Sequence, residues 1–186
     1  QFILNSTAER PGYTLLGWTT EADGSGELFL PNSLQTFEND TILYANWKAD
    51  GHTPYIVEHY LQNATADAYT KIDSDTQHLT AETGTLVTAE VKTYTGFTEN
   101  TSHPSRKASG TVNEDGSLIL KLYYDRDIYE ISFDLNGNND TAPQTQYILY
   151  GNPVSQPSAP THTGYHFKGW YTDKECSAEN QWAFEK

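Results

Sequence analysis

The stretch that decides the fold reads GYTLLGWTT at residues 12–20, and it returns as GYHFKGWYT at residues 164–172. The two copies are 152 positions apart throughout, and an acidic residue follows each of them, Glu21 in the first and Asp173 in the second. A fixed offset over glycine, tyrosine and tryptophan indicates a duplicated structural unit, because catalytic chemistry is seldom carried twice in one chain. We therefore expect tandem small units whose shared residues serve the fold.

Composition and charge narrow the range of partners. The 186 residues carry a formal net charge of −14, so long-range repulsion opposes binding to nucleic acid or to anionic lipid. No stretch of 18 apolar residues occurs and the first residues lack signal-peptide features, so we expect an interior fragment without membrane insertion. The single cysteine, Cys176, excludes an intrachain disulfide and a cysteine-based metal cluster. Richness in Thr, Asn, Ser and Gly fits an extracellular β-protein.

Alternating apolar residues predict strands in most of the chain. The clearest faces are those of residues 118–124 and of residues 128–135, where every second residue is apolar or aromatic. Residues 114–117 and 136–139 offer the positive-φ residues that tight turns and hairpins need. The prolines within residues 152–163 predict an extended, largely unpaired segment at a sheet edge.

Helix signals are weak, and turn signals divide the chain. Residues 67–75 and 83–93 contain Ala, Glu and Lys, but Gly84 and many Thr and Val residues oppose a long helix. We expect one short helix per unit, and hence a mainly β fold with minor α. Breaks near residues 50–54 and 125–127 predict three segments, which are 1–50, 51–127 and 128–186.

The end segments carry a recognisable pattern. In the last segment Phe133-Asp134-Leu135-Asn136-Gly137, a proline-rich stretch and the repeated motif follow one another, and in the first the motif precedes Leu43-Tyr44-Ala45-Asn46-Trp47. These features resemble the Listeria-Bacteroides repeat, also called the internalin B-repeat family of bacterial surface proteins. The first copy departs from that family at Leu15 and Thr19, where aromatic residues are frequent. By this resemblance the repeat core consists of Gly12, Tyr13, Gly17, Trp18, Tyr44, Trp47, Gly164, Tyr165, Gly169 and Trp170.

Against the family pattern, each end copy is partial. Segment 1–50 looks like the C-terminal portion of a repeat or a short variant, and segment 128–186 looks like the N-terminal portion. The second copy lacks the closing Leu-Tyr-Ala-x-Trp strand. We expect the unpaired strand edges to recruit another chain.

The middle segment resembles a second kind of surface repeat. Residues 55–60, Gly96-Phe97, Gly110 and residues 120–126 are similar to the repeats grouped with mucin-binding proteins of Gram-positive bacteria. Together the two resemblances imply small β-grasp-like modules strung along an adhesin at the bacterial cell surface or cell wall.

Aromatic residues are the candidate ligand contacts. An exposed face of Trp18, Trp170, Tyr60 or Tyr124 could stack on a sugar or contact a protein. The alternative is that the tryptophans are core anchors beside Gly17 and Gly169, since indole rings usually serve as apolar anchors with one polar handle.

Catalytic and metal constellations are not evident. Asp134, Asn136, Asn138 and Asp140 alternate like calcium ligands, but a helix-loop-helix calcium loop needs a glycine and a distal acid that are missing here. The six histidines show no helical zinc pair, and no nucleophile elbow or phosphate loop occurs. We predict a chain that is not an enzyme and that needs no cofactor or metal.

The sequence favours a stalk or spacer in bacterial adhesion. Repeat units contact mainly their neighbours in the chain, so an array can project a distal binding domain without a site in each unit. The alternative is a module that binds a host glycan, mucin or protein through its aromatic residues.

Overall fold

The computed structural model describes residues 1–4, 7–138 and 140–184, which form a mainly β structure. In chain order the strands are β1 (Phe2–Ile3), β2 (Tyr13–Thr19), β3 (Leu28–Phe29), β4 (Leu34–Gln35), β5 (Tyr44–Ala49), β6 (Thr53–Gln62), β7 (Tyr69–Lys71), β8 (Gln77–Ala81), β9 (Leu86–Thr88), β10 (Phe97–Glu99), β11 (Ser109–Thr111), β12 (Ile119–Arg126), β13 (Ile128–Ile131) and β14 (Gln146–Leu149). The strands make open sheets: β3-β2-β5, β1-β4, β11-β9, β13-β14, and a larger sheet ordered β10-β12-β6-β7 in which β8 also pairs with β6.

Contacts between residues divide the chain into two compact units. Unit 1 comprises residues 1–60, 71–92 and 100–123, and unit 2 comprises residues 61–70, 93–99 and 124–186. The three segments expected from the sequence follow the order of the chain, and they stay a prediction.

In unit 1 the first copy of the motif becomes the centre of a small antiparallel sheet. Strand β2 pairs with β3 on one side and with β5 on the other. Two hydrogen bonds hold the turn before β2 in place: the Gly12 carbonyl accepts one from the Thr83 hydroxyl at 2.9 Å and one from the Asp50 amide at 2.8 Å. Thr83 also shares a buried 2.6 Å hydrogen bond with the Thr53 hydroxyl. Polar groups thus tie the motif to the following strand, β6.

The apolar core is concentrated on β6 and β12. Leu118, Leu120, Leu122 and Tyr124 are each at most 1% exposed, which confirms the predicted alternation along this strand. Full burial of a leucine stabilises a fold by roughly 1.5–3 kcal/mol. Among the described residues, every buried apolar side chain of this core lies between Tyr55 and Tyr124. The end segments therefore contribute little deep core of their own.

Strand β6 also buries a histidine. His59 is fully buried on the same face as Val57, and burial together with the positive charge of Lys92 lowers its pKa. Lys92 makes a 3.2 Å ion pair with Asp75, whose charge opposes this shift in part. The side chain of His59 is thus held towards its neutral form.

Strands β6 and β12 run in the same direction. The Ile56 amide donates to the Leu118 carbonyl at 3.0 Å, and six residues later in β6 the Gln62 carbonyl accepts a 3.0 Å hydrogen bond from the Arg126 side chain. In unit 2 Arg126 also donates to the Tyr150 carbonyl at 2.6 Å, and its guanidinium lies 5.0 Å from the centre of the Phe97 ring. This arginine therefore joins three chain segments.

The two predicted turns are present, but the predicted strand at residues 128–135 is shorter than expected. Asn136 and Gly137 have φ of 49° and 90°, which confirms the predicted turn, while Asn139 lies outside the described residues. Gly116, at φ 72°, confirms the turn at residues 114–117. Strand β13 ends at Ile131, before the predicted end, and its partner β14 begins only at Gln146, so these residues do not form a tight hairpin.

The proline-rich segment is unpaired over most of the length predicted to be so. Residues 153–160 belong to no strand or helix. The side chain of Gln146 exchanges two hydrogen bonds with the backbone of Ser155, at 2.7 and 2.9 Å. This contact holds the segment beside the start of β14.

The expectation of one short helix per unit is not met by any α-helix among the described residues. They contain only two 3-10 turns, Asp73–Asp75 and Ala178–Asn180. The stretches suspected of helix form β7 and β9 instead, because their Thr and Val side chains favour extended backbone and Gly84 adopts a φ of 83°.

Candidate functional site

The two copies of the motif begin with the same turn. Gly12 and Gly164 both have positive φ, 69° and 83°. The Tyr13 amide donates to the Arg10 carbonyl at 3.1 Å, and the Tyr165 amide donates to the His162 carbonyl at 3.0 Å. Only glycine adopts such a φ readily, so the duplicated glycine has a conformational cause in both copies.

The second glycine of each motif makes room for a neighbouring segment. Gly17 and Gly169 have φ of 155° and 147°. A Cβ atom on Gly17 would lie 2.5 Å from the Phe29 carbonyl oxygen, and one on Gly169 would lie 2.6 Å from Nε2 of Gln181. Phe29 and Gln181 are 152 residues apart, which is also the distance in sequence between the two motif copies. The duplication thus preserves a close approach of two chain segments.

The tryptophans are packed partly into their own units. Trp18 is half-buried and lies in β2 opposite Ala45 on one side and Phe29 on the other. Trp170 packs edge-on against Phe133, with ring centres 5.0 Å apart, and against Phe167, at 5.3 Å. These contacts are those of packing anchors.

The two copies differ in what surrounds the motif. In the first copy β2 is a seven-residue strand between two neighbours, whereas residues 166–170 belong to no strand. An open cleft of about 1200 Å³ lies over this part of unit 2. Its aromatic lining consists of Phe133, Tyr165, Phe167, Tyr171, Trp170, Trp182 and Phe184.

The remaining residues of the expected repeat core follow this difference. Tyr13 is half-buried with the Arg10 guanidinium 3.8 Å from its ring centre, whereas Tyr165 is 74% exposed. Trp47 lies opposite Leu15 in β5 and is half-buried, and Tyr44, at the start of that strand, is 39% exposed. The first copy is the more completely packed of the two.

Tyr60 belongs to an aromatic stack on the surface of unit 1 that the sequence analysis did not identify. Its ring is stacked on Tyr123 at 4.8 Å, and His103 is stacked on Tyr123 at 3.7 Å. The Tyr60 hydroxyl donates to Glu58 at 2.6 Å, and burial with this carboxylate raises the pKa of Tyr60 above its usual range. Lys121 approaches Glu58 at 3.8 Å. We call the group Glu58, Tyr60, His103, Lys121 and Tyr123 the stacked cluster.

A signal for part of the stacked cluster was present in the sequence. Glu58 and Tyr60 are two apart in β6, and Lys121 and Tyr123 are two apart in β12, so each pair shares one face of its strand. His103 lies outside any strand and offered no periodic signal. The fourth candidate contact, Tyr124, points to the opposite face, where it is 1% exposed and packs edge-on against Tyr94.

The alternating polar residues after β13 are engaged in turn hydrogen bonds. Asp134 accepts a 2.7 Å hydrogen bond from the Asn136 amide, and the Asn136 side chain donates to the Lys174 carbonyl at 2.9 Å. Asn138 Nδ2 donates to Asp140 at 3.0 Å. In the part of the chain that the structure describes, no group of three His, Cys, Asp or Glu side chains could hold a metal ion.

Comparison with known proteins matches the chain to one family. The Listeria-Bacteroides repeat domain (List_Bact_rpt) matches residues 1–46 and 129–186, which together make up more than half of the chain. No solved structure matches the chain. No helix within the described ranges is long and apolar enough to cross a bilayer.

One curated relative is similar over almost the whole chain. It is a protein of Evansella cellulosilytica named "Putative Gly-rich membrane protein", 29% identical over 189 aligned positions that cover 95% of this chain. The chain spans only 21% of that relative's length. The duplicated motif, its matching turn and glycine geometry in both copies, and the family match at both ends all agree: the chain belongs to the Listeria-Bacteroides repeat domain family.

Proposed function

We propose that this chain is a non-catalytic repeat region of a bacterial cell-surface protein, and that it acts as a stalk or spacer in adhesion. The proposal rests on the observation that the duplicated residues make packing contacts. Gly17 and Gly169 accommodate a neighbouring segment, and Trp170 packs on two phenylalanines. Residues that are repeated in order to pack require no ligand to explain them.

The membership in a repeat family supports the spacer role. Stacked repeats contact chiefly their neighbours, so the length of an array sets how far it projects a distal domain. The relative's name places that protein in a membrane, and a surface location for this chain is part of our proposal.

The proposal extends to the central segment. We interpret residues 51–127 as a module similar to mucin-binding-protein repeats, with a β-grasp-like sheet. The parallel neighbours β6 and β12, with antiparallel β8 and β10 beside them, are compatible with such a sheet. The end segments are interpreted as partial repeats of the same general kind.

A binding screen tests the spacer role. The chain would be screened against mucins, a glycan array and host-cell proteins, beside a Trp18→Phe/Trp170→Phe variant whose folding is checked by circular dichroism. We expect no saturable binding by either protein. Binding that the parent shows and the folded variant loses would overturn the spacer role and identify a recognition module.

The stacked cluster is the observation that favours the alternative, a module that binds a glycan, mucin or host protein. Tyr60 is half-exposed at the edge of the stack, with charged groups of both signs beside it. Aromatic rings with adjacent polar groups are common at the centres of binding surfaces. In the same screen Tyr60→Ala would then abolish binding, while Tyr60→Phe would retain most of it because the stacking face is kept.

The non-catalytic part of the proposal has its own test. Glu58 is a half-buried acid of the stacked cluster, so it is the residue that we would test for a part in glycan hydrolysis. We expect no activity on a panel of glycoside and ester substrates. Activity that disappears in a folded Glu58→Gln variant would overturn the proposal.

A further inference from the structure

A single residue, Asp127, connects strand β12 to strand β13. Residues at the ends of such elements are where a chain can hinge, because a few dihedral angles there can absorb a large change of direction. The backbone of Asp127 is held on both sides: its amide donates to the Gly96 carbonyl at 2.9 Å, and its carbonyl accepts from the Tyr150 amide at 2.8 Å. Its side chain accepts a 2.7 Å hydrogen bond from the Thr98 hydroxyl. The one residue that could serve as a hinge is therefore restrained at three points.

The ring of Tyr150 lies against the backbone of Gly96. A Cβ atom on Gly96 would collide with three carbon atoms of this ring. The half-buried ring also packs edge-on against Phe97 in β10, with ring centres 6.0 Å apart, and lies 6.3 Å from the ring of Tyr129 in β13. Aromatic pairs at such distances contribute packing energy beyond the area that they bury. The Tyr150 ring thus bridges β10 and β13.

Arg126 adds polar contacts to this packing. Its side chain donates to the Tyr150 carbonyl at 2.6 Å and to the Gln62 carbonyl at 3.0 Å, and its amide donates to the Gln62 side chain at 3.0 Å. The guanidinium is planar and directs its donors at fixed angles, so two carbonyls bound to it keep a fixed relative position. Close by in sequence, the Asn152 side chain donates to the Ala64 carbonyl at 2.8 Å. All of these residues belong to unit 2.

We propose that Gly96, Arg126, Asp127 and Tyr150 form a rigid joint, which fixes the direction of β13 and β14 relative to β10 and the end of β12. Bending at Asp127 would have to break hydrogen bonds and ring contacts among four chain segments at once. The use that we assign to this joint, a stiff point in a stalk, rests on the spacer role proposed above. A chain with free joints spans a distance that grows only with the square root of its number of links, so a spacer gains reach when its joints are stiff.

Residual dipolar couplings of the backbone amides test the joint by NMR, because the parts of a rigid body share one alignment tensor. In the parent chain we expect one tensor to fit both residues 61–70, 93–99 and 124–126 and residues 128–131 and 146–149. Tyr150→Ala removes the ring, so water competes for the hydrogen bonds of Asp127. This variant should keep the chemical shifts of β13 and β14 but need a second tensor of smaller magnitude for them. Tyr147→Ala is the matched control, because Tyr147 is 69% exposed in β14, and it should keep the single tensor.

A glycine pair separates the ring contact from backbone strain. Gly96 and Gly84 have φ of 75° and 83°, so alanine is strained at both positions, but a Cβ atom on Gly84 meets nothing within 4 Å. Gly96→Ala should therefore need a second tensor for β13 and β14, whereas Gly84→Ala should not.

Three results would overturn the rigid joint. They are two tensors in the parent chain, a single tensor in both Tyr150→Ala and Gly96→Ala, and loss of the β13 and β14 chemical shifts in both variants, which would make the ring part of the fold of those strands. The couplings report on the joint alone. Glycan or mucin binding in the screen above would overturn the spacer role and leave the joint standing, whereas two tensors in the parent chain would overturn the joint and leave the spacer role standing.

Discussion

Replacing Gly17 by alanine should destabilise the protein more than the same replacement at Gly169. Both residues have a φ near 150°, and a residue other than glycine there costs about 1–3 kcal/mol. At position 17 the new Cβ also lies 2.5 Å from the carbonyl oxygen of Phe29, which belongs to the backbone of a paired strand. Accommodating this overpacking lowers the free energy of unfolding by about a further 1–3 kcal/mol.

The clash at Gly169 is cheaper to relieve. Its new Cβ would meet only the end of the Gln181 side chain, which can turn away after losing a 3.2 Å hydrogen bond to the Lys168 carbonyl. That loss costs about 0.5–1.5 kcal/mol. We therefore expect Gly17→Ala to lower the free energy of unfolding by about 1–2 kcal/mol more than Gly169→Ala.

Urea denaturation followed by far-UV circular dichroism and tryptophan fluorescence measures both variants. Gly51→Ala is the control, because a Cβ on Gly51 meets no atom within 4 Å and Gly51 does not have a positive φ. Equal losses at positions 17 and 169, or a larger loss at 169, would refute the argument from the paired strand.

Three further predictions concern the central strands. Leu122→Ala should lower the free energy of unfolding by about 2–5 kcal/mol in chemical denaturation, because the side chain is fully buried, and a loss below 1 kcal/mol would contradict its core position. The pKa of His59 is lowered in the folded state, so the stabilising effect of its neutral form is fully present above the unfolded pKa of about 6.5 and declines as the pH falls below it. Unfolding free energies from pH 7.5 to 5 should show this decline, and a folded His59→Gln variant should show less of it. Thr83→Val should cost about 1–3 kcal/mol by thermal or urea unfolding, since it removes hydrogen bonds to Thr53 and the Gly12 carbonyl, whereas Thr85→Val serves as a control that leaves both bonds in place.

Periodic local patterns were readable from the sequence. The alternation of residues 118–124 predicted the buried face of Leu118, Leu120, Leu122 and Tyr124, because a strand sends successive side chains to opposite faces, but it did not predict that Tyr123 on the other face is buried too. The duplicated glycines predicted a repeated structural unit, and both copies adopt the same positive-φ geometry, which few other residues tolerate.

Features that depend on distant partners were not readable in the same way. Among the described residues the motif forms a strand at residues 13–19, where β5 pairs with it, and none at residues 166–170, although the two sequences are similar. The predicted helices failed for a related reason: residues 69–71 and 86–88 pair with β6 and β11, and this pairing outweighs a weak helical preference. His103 belongs to the stacked cluster because its ring stacks on Tyr123, and no residue spacing in the sequence predicts this contact.

The parallel arrangement of β6 and β12 has a mechanical consequence. The chain enters β6 at Thr53, beside the start of β12, and leaves β12 at Arg126, beside the end of β6. Tension along the backbone would therefore pull the two strands past each other lengthwise, so that their hydrogen bonds carry the load together. Bonds loaded together resist rupture better than bonds peeled one at a time, which suits the spacer role proposed above.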